Sequence, residues 1–251
     1  MSVHDTARRG FAHAAQVYEE SRPGYPDDAI DWLATQLQLG PKRTVVDLAA
    51  GTGKLTRLLT PTGATVTAIE PVDEMRDALG RTSPDADARP STAERTGLPD
   101  ASADAVTVAQ AFHWVDGPAA LAEIHRILRH TGRLAIVWNI RDLSDPVQHD
   151  IDRLFDPHRG DTPSHRSGRW RAALDQTELF TPGAKREFEN IQTLDAETLV
   201  RRVASTSFVA DLPAAELERV LDRARDIAVQ LPDRFPFPYT TEVEIFDRVG
   251  A

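Results

Sequence analysis

The sequence predicts an α/β fold: a doubly wound, mostly parallel seven-stranded sheet with one antiparallel edge strand and a helical cap. Two observations lead to this prediction. Short, branched apolar segments alternate with helical segments over residues 44–140, and strands that alternate with helices form parallel sheets with right-handed crossovers. After residue 141, two helical segments lie between two segments of alternating polarity. This second pattern predicts the cap and two strands that pair antiparallel at one edge.

The first forty residues predict two helices. Apolar side chains recur at helical spacing over residues 5–20, which indicates an amphipathic helix. The run SRPGYP ends it, and a second helix follows Pro26, with two aspartates in its first turn and Gly40 after its end. We expect residues 1–40 to form a helical lid.

Residues 44–140 predict five strands of the sheet. In chain order the strand segments are TVVDLA, ATVTAIE, DARPSTA, ADAVTVAQA and RLAIVWN. Helices are expected from Lys54, over PVDEMRDAL and over PAALAEIHRILR. Ligands of such sheets lie beyond the carboxyl ends of the strands, so we expect this part to be the cofactor-binding core.

Residues 141–251 complete the single domain that we expect over residues 1–251. LDAETLVRRVAS and AAELERVLDRARDIAVQL have helical patterns, whereas AKREFENIQTL and YTTEVEIFDRV alternate like strands. We expect the helices between these strands to form a cap near the ligand end of the sheet. His158 and His165 lie in a segment that we interpret as irregular, and they lack the spacing of metal ligands. No metal is expected.

The composition disfavours several classes of protein. The net charge is −10, from 29 basic and 39 acidic residues, which argues against nucleic acid as a partner because its phosphate backbone attracts basic surfaces. No apolar run approaches the ~18 residues of a membrane span, and no signal segment opens the sequence. The lack of cysteine excludes disulfides and thiolate metal sites. We therefore expect a cytoplasmic protein without a membrane partner; its oligomeric state stays open.

The turn DLAAGTGK after the first strand admits three ligand-binding templates. A phosphate-binding P-loop needs Gly-x-x-x-x-Gly-Lys followed by Ser or Thr, but Leu48 and Leu55 occupy the first glycine and the hydroxyl positions. The dinucleotide template Gly-x-Gly-x-x-Gly meets Thr56 at its third glycine. In addition, Asp47 ends the strand where a pyrophosphate would approach, and its carboxylate would repel it. Both templates are therefore disfavoured.

The third template, Asp-x-Gly-x-Gly-x-Gly with an acid ending the next strand, fits best. Asp47 can face the ammonium group of an amino acid, directly or through water, and Gly51 and Gly53 let the backbone approach a nucleoside closely. Glu70 ends the next strand and can accept hydrogen bonds from two ribose hydroxyls. A cationic nucleoside that carries an amino acid is S-adenosylmethionine, which we predict as the cofactor.

These motifs resemble the class I S-adenosylmethionine-dependent methyltransferases over most of the chain. The resemblance includes DLAAGTG, AIEP, STAERTGLPDASADAVTVAQAFHWVD and EIHRILRHTGRLAIVWN. YEESRPGYP, AQAFHW, VWN and PYTTEVEIF further resemble a small-molecule subgroup near trans-aconitate methyltransferase. The resemblance implies a Rossmann-like methyltransferase fold that methylates a small-molecule acceptor.

Three features depart from the family pattern. Ala49 replaces the first glycine of the loop, and Thr92 stands where many relatives have an aspartate that bonds the adenine amino group. That contact is then left to Glu94, to the Thr92 hydroxyl or to the backbone near Ala93. Gln110-Ala-Phe-His follows the fourth strand in place of Asn-Pro-Pro-Tyr, which argues against amide and nucleobase N-methylation.

The resemblance, together with this chemistry, implies a set of cofactor residues. Tyr18 and Arg22 would close over the cofactor, with Arg22 meeting a carboxylate of cofactor or substrate; the alternative is a surface arginine. Met75 would flank the adenine, although a core position explains it equally well. The expected cofactor residues are Tyr18, Arg22, Asp47, Ala49, Gly51, Gly53, Glu70, Pro71, Met75, Thr92, Ala93, Glu94, Gln110 and Ala111.

The residues after the fourth and fifth strands are expected to meet the methyl acceptor. His113 is the candidate catalytic base, because an imidazole with a pKa of ~6.5 can take a proton from a hydroxyl or amine. The alternative is a packed histidine, since a carboxylate acceptor needs no base. Trp114, Trp138, Asn139 and Arg141 are the candidate substrate residues. Arg141 suits an anionic acceptor, whereas Trp138 is also compatible with the core.

The sequence therefore predicts an enzyme that methylates a small molecule, and O-methylation of a carboxylic acid or hydroxyl is favoured. Arg22, His113 and Arg141 motivate this chemistry. One alternative is a C- or N-methyltransferase of a secondary metabolite. Another is a catalytically silent, regulatory protein that binds S-adenosylmethionine. An NAD-dependent dehydrogenase is disfavoured by Thr56 and Asp47.

Overall fold

The computed structural model describes residue 17 and residues 19–250. Tyr18 and nearly all of the helix predicted over residues 5–20 lie outside the described residues. Within the described part, the chain builds one sheet with helices on both faces and a helical cap.

The strands of the sheet are β1 Thr44–Leu48, β2 Thr65–Ile69, β3 Asp87–Arg89, β4 Ala103–Ala109, β5 Leu128–Arg141, β6 Phe180–Leu194 and β7 Phe235–Arg248. These seven strands lie in the order β3-β2-β1-β4-β5-β7-β6. The pairs from β3 to β5 are parallel, and β7 runs antiparallel to both of its neighbours. The predicted α/β class, the strand number and the antiparallel C-terminal pair are confirmed. The antiparallel strand lies one place in from the edge, which β6 occupies.

The helices of the described part are α1 Asp27–Gln36, α2 Thr56–Leu59, α3 Asp73–Thr82, α4 Gly117–Ile127, α5 Pro146–Arg159, α6 Arg171–Gln176, α7 Ala196–Ala204, α8 Ser207–Ala210 and α9 Ala214–Ala228. Three apolar clusters join them to the sheet. The first packs α4 and α6 on one face, and the second packs α1 and α2 on the other. The third joins α5, α7, α8 and α9 to the start of β7 and forms the core of the cap.

Three helices of the C-terminal part, α5, α6 and α8, were not predicted. The Asp145 side chain caps α5 by accepting a 2.9 Å hydrogen bond from the backbone N–H of Gln148, and Pro146 takes the first helical position. His158 lies in the last turn of this helix, so the interpretation of its segment as irregular was wrong. Every helix in the described part of the chain is too short or too polar to cross a membrane.

Candidate functional site

A cavity of about 830 Å³ opens at the carboxyl ends of β1, β2, β4 and β5. Ligand pockets commonly measure ~300–1,000 Å³, so this one has room for a large ligand together with a smaller one. Its walls come from two parts of the chain. The loops after the parallel strands line one side, and α5, α7 and the segment after α5 line the other.

The glycine loop after β1 has a left-handed backbone at three positions. The φ angles are +51° at Ala49, +58° at Gly51 and +85° at Gly53. A Cβ on Gly51 would meet no atom within 4 Å, so the loop leaves open space beside its backbone there. Gly53 instead faces α3, because a Cβ on it would lie 2.9 Å from the Ser83 hydroxyl oxygen. Gly51 lines the cavity, whereas Gly53 lies behind the loop.

Asp47 forms part of the cavity floor and is fully buried. Its carboxylate accepts hydrogen bonds from the hydroxyls of Thr56, at 2.7 Å, and of Thr107, at 2.8 Å. Thr107 is its register partner on β4. Burial raises the pKa of Asp47 to about 6, although both hydroxyl bonds act to lower it.

Glu70 follows β2 and ties two turns together. Its carboxylate accepts one backbone hydrogen bond from Gly51 and one from Val72, each at 2.8 Å. Burial raises the pKa of Glu70 to about 7, although these two bonds act to lower it. Each carboxylate oxygen can accept a second donor, so Glu70 can hold the loop and still bind a ligand in the cavity.

The cavity wall next to Glu70 combines apolar and polar groups. Pro71 and Met75 line it, and Met75 is also 3% exposed and therefore well packed. Thr92 and Ala93 lie on the same wall. Glu94 accepts a 3.0 Å hydrogen bond from the backbone N–H of Asp116, which fixes its position.

The loop after β4 places neutral polar groups in the cavity. Gln110 has a left-handed φ of +59°, and its backbone N–H donates to the Val137 carbonyl at 2.9 Å. The Gln110 side-chain nitrogen and His113 Nδ1 are buried without a hydrogen-bond partner among the described residues. Burial, and to a lesser extent the nearby His165, lower the pKa of His113 to about 3. His113 is therefore neutral at physiological pH. Its ring stacks on Trp138, with centroids 5.4 Å apart.

Three arginines surround the Asp152 carboxylate on the cap side of the cavity, and a fourth lines the same cavity. Arg159 donates to Asp152 at 2.8 Å, Arg166 also bonds it, and Arg141 approaches it to 3.6 Å. Burial lowers the pKa of Arg141 to about 10, so the group stays charged at neutral pH. Arg202 is the fourth cation of this group, which we call the arginine cluster.

Residues 19–24 connect the glycine loop to the cap. Glu19 accepts a 2.5 Å hydrogen bond from the Thr52 hydroxyl, and its backbone carbonyl accepts one from Lys54 Nζ at 2.6 Å. Arg22 donates to the backbone carbonyl of Ser205, at 2.8 Å, and to its hydroxyl, at 3.1 Å. This segment therefore forms part of the cavity rim.

The structure brings most of the predicted site residues to this cavity. Tyr18 lies outside the described residues, Gly53 lies behind the loop, and Trp138, which is 1% exposed, belongs to the core beneath the cavity. The predicted residues that line the cavity are Arg22, Asp47, Ala49, Gly51, Glu70, Pro71, Met75, Thr92, Ala93, Glu94, Gln110, Ala111, His113, Trp114, Asn139 and Arg141.

Sequence reasoning missed the cap residues of the cavity. Asp152, Arg159, Arg166, Arg202 and Tyr239 all line it. Most of them come from helices whose orientation no local pattern reveals. Among the described residues, no group of three or more His, Asp or Glu side chains is placed to hold a metal ion.

Comparison with known sequences identifies relatives over most of the chain. A family described as "Methyltransferase domain" matches residues 46–136. An uncharacterized methyltransferase of Mycobacterium tuberculosis (strain H37Rv) is 38% identical over 237 residues, which cover 92% of each chain. An uncharacterized methyltransferase-like protein of Schizosaccharomyces pombe is 33% identical over 216 residues, covering 86% of this chain and 84% of its own.

Solved structures share the fold. A putative type II methyltransferase from Anaeromyxobacter dehalogenans matches with a TM-score of 0.65 and 24% identity, over 91% of this chain and 98% of its own. Geranyl diphosphate C-methyltransferase from Streptomyces coelicolor, in complex with Mg²⁺, geranyl diphosphate and S-adenosyl-L-homocysteine, matches with a TM-score of 0.51 and 16% identity. This second match covers 88% of the present chain and 77% of that enzyme. At sequence identities below 25%, these structural matches show that the fold is shared and carry no conclusion about the acceptor.

Proposed function

The chain belongs to the class I S-adenosylmethionine-dependent methyltransferases, and from this premise we propose that it methylates an oxygen of a small anionic acid. Its cofactor is S-adenosylmethionine, whose sulfonium group supplies an electrophilic methyl group when it is bound. The arginine cluster carries the proposal, because four arginines and a single aspartate, Asp152, line the cap side of the cavity and leave an excess of positive charge there. The sequence resemblance to trans-aconitate methyltransferase favours the same class of acceptor.

The residues around the glycine loop fit this cofactor. Gly51 leaves open the space that a Cβ would fill, so a nucleoside can approach the backbone. Glu70 keeps free lone pairs for two ribose hydroxyls, while Pro71 and Met75 offer apolar surface to the adenine. Asp47 adds a negative charge beneath the cationic part of the ligand.

The three parts of the chain have separate roles in this proposal. The lid predicted over residues 1–40 is reduced in this proposal to residues 19–25, which cover the cofactor, and the contacts of Glu19 and Arg22 with the loop and the cap support this role. The helix α1 packs on the sheet and is not part of the lid. Residues 44–140 bind the cofactor, and residues 141–251 shape the acceptor side.

A carboxylate is favoured over a hydroxyl as the methylated group. A general base works best when its pKa lies near the working pH, and burial lowers the pKa of His113 to about 3. Such a weak base is unsuited to deprotonating an alcohol, whereas a carboxylate is already deprotonated at neutral pH. In this proposal His113, with Gln110 and Trp114, aligns the acceptor and excludes water from it.

The test is methyl transfer from labelled S-adenosylmethionine to a panel of carboxylic acids, hydroxy acids, amines and thiols. We expect carboxylic acids to release S-adenosylhomocysteine and to give a methyl ester, which alkali hydrolyses to methanol. Release with amines or thiols alone contradicts the proposal and favours the alternative chemistries. Cofactor binding without turnover across the whole panel favours a regulatory protein.

The pH dependence gives a second test of the role of His113. Because His113 is neutral throughout, the pH profiles of kcat for a carboxylic acid are expected to have the same shape in the wild type and in His113→Ala between about pH 6 and 9. A rise in kcat that follows an ionisation near pH 6.5, and that disappears in His113→Ala, would establish a base instead.

A further inference from the structure

The buried side chain of Arg202 has a nitrogen, Nη1, without a hydrogen-bond partner among the described residues. The residue lies on α7, is 4% exposed and lines the cavity. Its Nε donates to the Tyr239 hydroxyl at 3.2 Å, but Nη1 is buried without a hydrogen-bond partner among the described residues. Burying an unpaired donor of a charged group is costly. Because Arg202 lines the cavity, this unpaired donor points to a ligand that binds there.

Arg141 faces the same part of the cavity. It pairs in register with Tyr239 across β5 and β7, which brings both arginines close to one tyrosine. Burial lowers the pKa of Arg141, and the charge of the nearby Arg202 lowers it further. The 3.6 Å approach of Arg141 to Asp152 exceeds hydrogen-bond length. Its donors therefore remain available.

Asp152 only partly offsets the charge of these two arginines. It lies 3.6 Å from Arg141, and its hydrogen bonds come from Arg159 and Arg166. The guanidinium groups of Arg141 and Arg202 and the Tyr239 hydroxyl thus lie close together, and both guanidinium groups have N–H donors without a hydrogen-bond partner among the described residues. A planar guanidinium group can bind a carboxylate with two parallel hydrogen bonds.

We propose that Arg141, Arg202 and Tyr239 form an anchoring subsite for a carboxylate of the acceptor that is not the group being methylated. The inference rests on the proposed function, because it takes the acceptor to be an acid. It adds that the acceptor has two functional groups: an anionic anchor and a separate reacting oxygen.

Two arguments separate the anchor from the reacting oxygen. Hydrogen bonds from arginine stabilise a carboxylate in its charged form, which makes it a poorer nucleophile. The sheet also separates the two places. Gln110 is bonded to Val137, and Arg141 lies four residues farther along β5, which is about 13 Å at ~3.3 Å per residue. The reacting oxygen therefore meets the neutral groups of Gln110 and His113, and the anchor lies towards the cap.

The experiment is calorimetric titration of succinate into the full-length protein saturated with S-adenosylhomocysteine, with neutral succinamide as the control ligand. We expect succinate to bind and succinamide not to bind. Arg202→Gln should weaken succinate binding by about 10- to 100-fold, the range for hydrogen bonds of charged groups. Tyr239→Phe, which removes only a hydroxyl, should weaken it by about 3- to 10-fold.

The matched control is Arg225→Gln, on the exposed surface of the cap helix α9, where Arg225 pairs with Glu218 and Asp222. It should leave succinate binding unchanged, and Arg202→Gln should leave the affinity for S-adenosylhomocysteine within about twofold of the wild type. That second comparison separates an acceptor subsite from a site for the carboxylate of the cofactor.

Three results overturn the inference: no succinate binding to the wild type at ~10 mM, equal succinate affinity in Arg202→Gln, or lost affinity for S-adenosylhomocysteine in that variant. A failure of the proposed function alone would give a different set of results in the binding and methyl-transfer experiments. Succinate would then bind in an Arg202-dependent manner while the acceptor panel showed methylation of amines or thiols alone.

Discussion

The two sides of the cavity hold their charged groups in different ways. On the cofactor side, Asp47 and Glu70 each accept two hydrogen bonds from neutral groups of neighbouring strands and loops. On the acceptor side, long side chains from the cap converge, and Arg202 keeps an unpaired donor. The protein itself thus fixes the position of both carboxylates on the cofactor side, whereas the acceptor arginines have donors left for a ligand in our proposal.

This difference indicates how the two specificities are encoded. Backbone turns and short side chains position the cofactor groups, so their geometry depends on the parallel sheet. Long guanidinium groups position the acceptor, so their geometry depends on how the cap packs. Substitutions at the loop should therefore affect the fold and cofactor affinity, while charge substitutions in the cap should affect only the acceptor.

The largest effect is expected from Glu70→Ala. The variant loses the proposed ribose contacts and the two backbone hydrogen bonds that hold the loop. S-adenosylhomocysteine binding should weaken by about 1.5–3 kcal/mol, or roughly 10- to 150-fold, measured by calorimetry. Glu74→Ala, at an exposed position on α3, is the control and should bind normally. Unchanged affinity in Glu70→Ala would show that the nucleoside lies elsewhere.

Glu70 should also make stability depend on pH. Burial raises its pKa from 4.5 to about 7, so between these values the folded state holds a proton that the unfolded state has lost. The stabilising contribution of this group is complete below pH 4.5 and declines as the pH rises through about 7, by at most ~1.4 kcal/mol per pH unit.

Urea unfolding of the cofactor-free protein checks this prediction. Glu70→Gln cannot titrate, so the stability of the wild type relative to this variant should fall between about pH 5 and 7.5. The comparison with the variant isolates Glu70 from His113, whose lowered pKa gives the opposite slope. A constant difference would mean that Glu70 titrates normally.

Two glycine-to-alanine variants should change stability in opposite directions. A Cβ on Gly53 would lie 2.9 Å from the Ser83 hydroxyl at a left-handed φ of +85°, so Gly53→Ala should cost about 1–2 kcal/mol. A Cβ on Gly80, within α3, would meet nothing within 4 Å, so Gly80→Ala should gain about 0.5–1 kcal/mol from helix propensity. Equal effects of the two variants in thermal unfolding would contradict the loop geometry.

The smallest effect is expected from Ala49→Gly. Ala49 has a left-handed φ of +51°, which costs an L-residue about 1–2 kcal/mol. Glycine removes this cost but adds entropy to the unfolded chain, about 0.4–1 kcal/mol. A net gain of about 0.5 kcal/mol should raise Tm by about 1–2 °C. A fall in Tm would show that the methyl group of Ala49 contributes packing that outweighs the strain.

The cofactor side was predictable from the sequence because its signals are local. A branched strand, a glycine turn and an acid at the end of the next strand lie within 30 residues, and the topology of parallel sheets brings their carboxyl ends together. Asp47, Gly51 and Glu70 therefore meet at the cavity as the pattern indicates.

The acceptor side was not predictable to the same degree. Asp152 and Arg202 are 50 residues apart on separate helices, and only the packing of the cap brings them to one cavity. Arg141 was found because it follows a strand. The start of α5 did carry a local signal, the Asp145-Pro146 cap, but its polar composition and internal Pro157 obscured the helix.

The central claim is that the two sides of the cavity bind different ligands through separable residues. Its most direct test is calorimetric titration of S-adenosylhomocysteine into the wild type, Glu70→Ala and Arg202→Gln, with NAD as the control ligand. We predict one-site binding to the wild type, none of NAD, a large loss in Glu70→Ala and wild-type affinity in Arg202→Gln. Equal losses in the two variants, or no loss in either, would contradict the account.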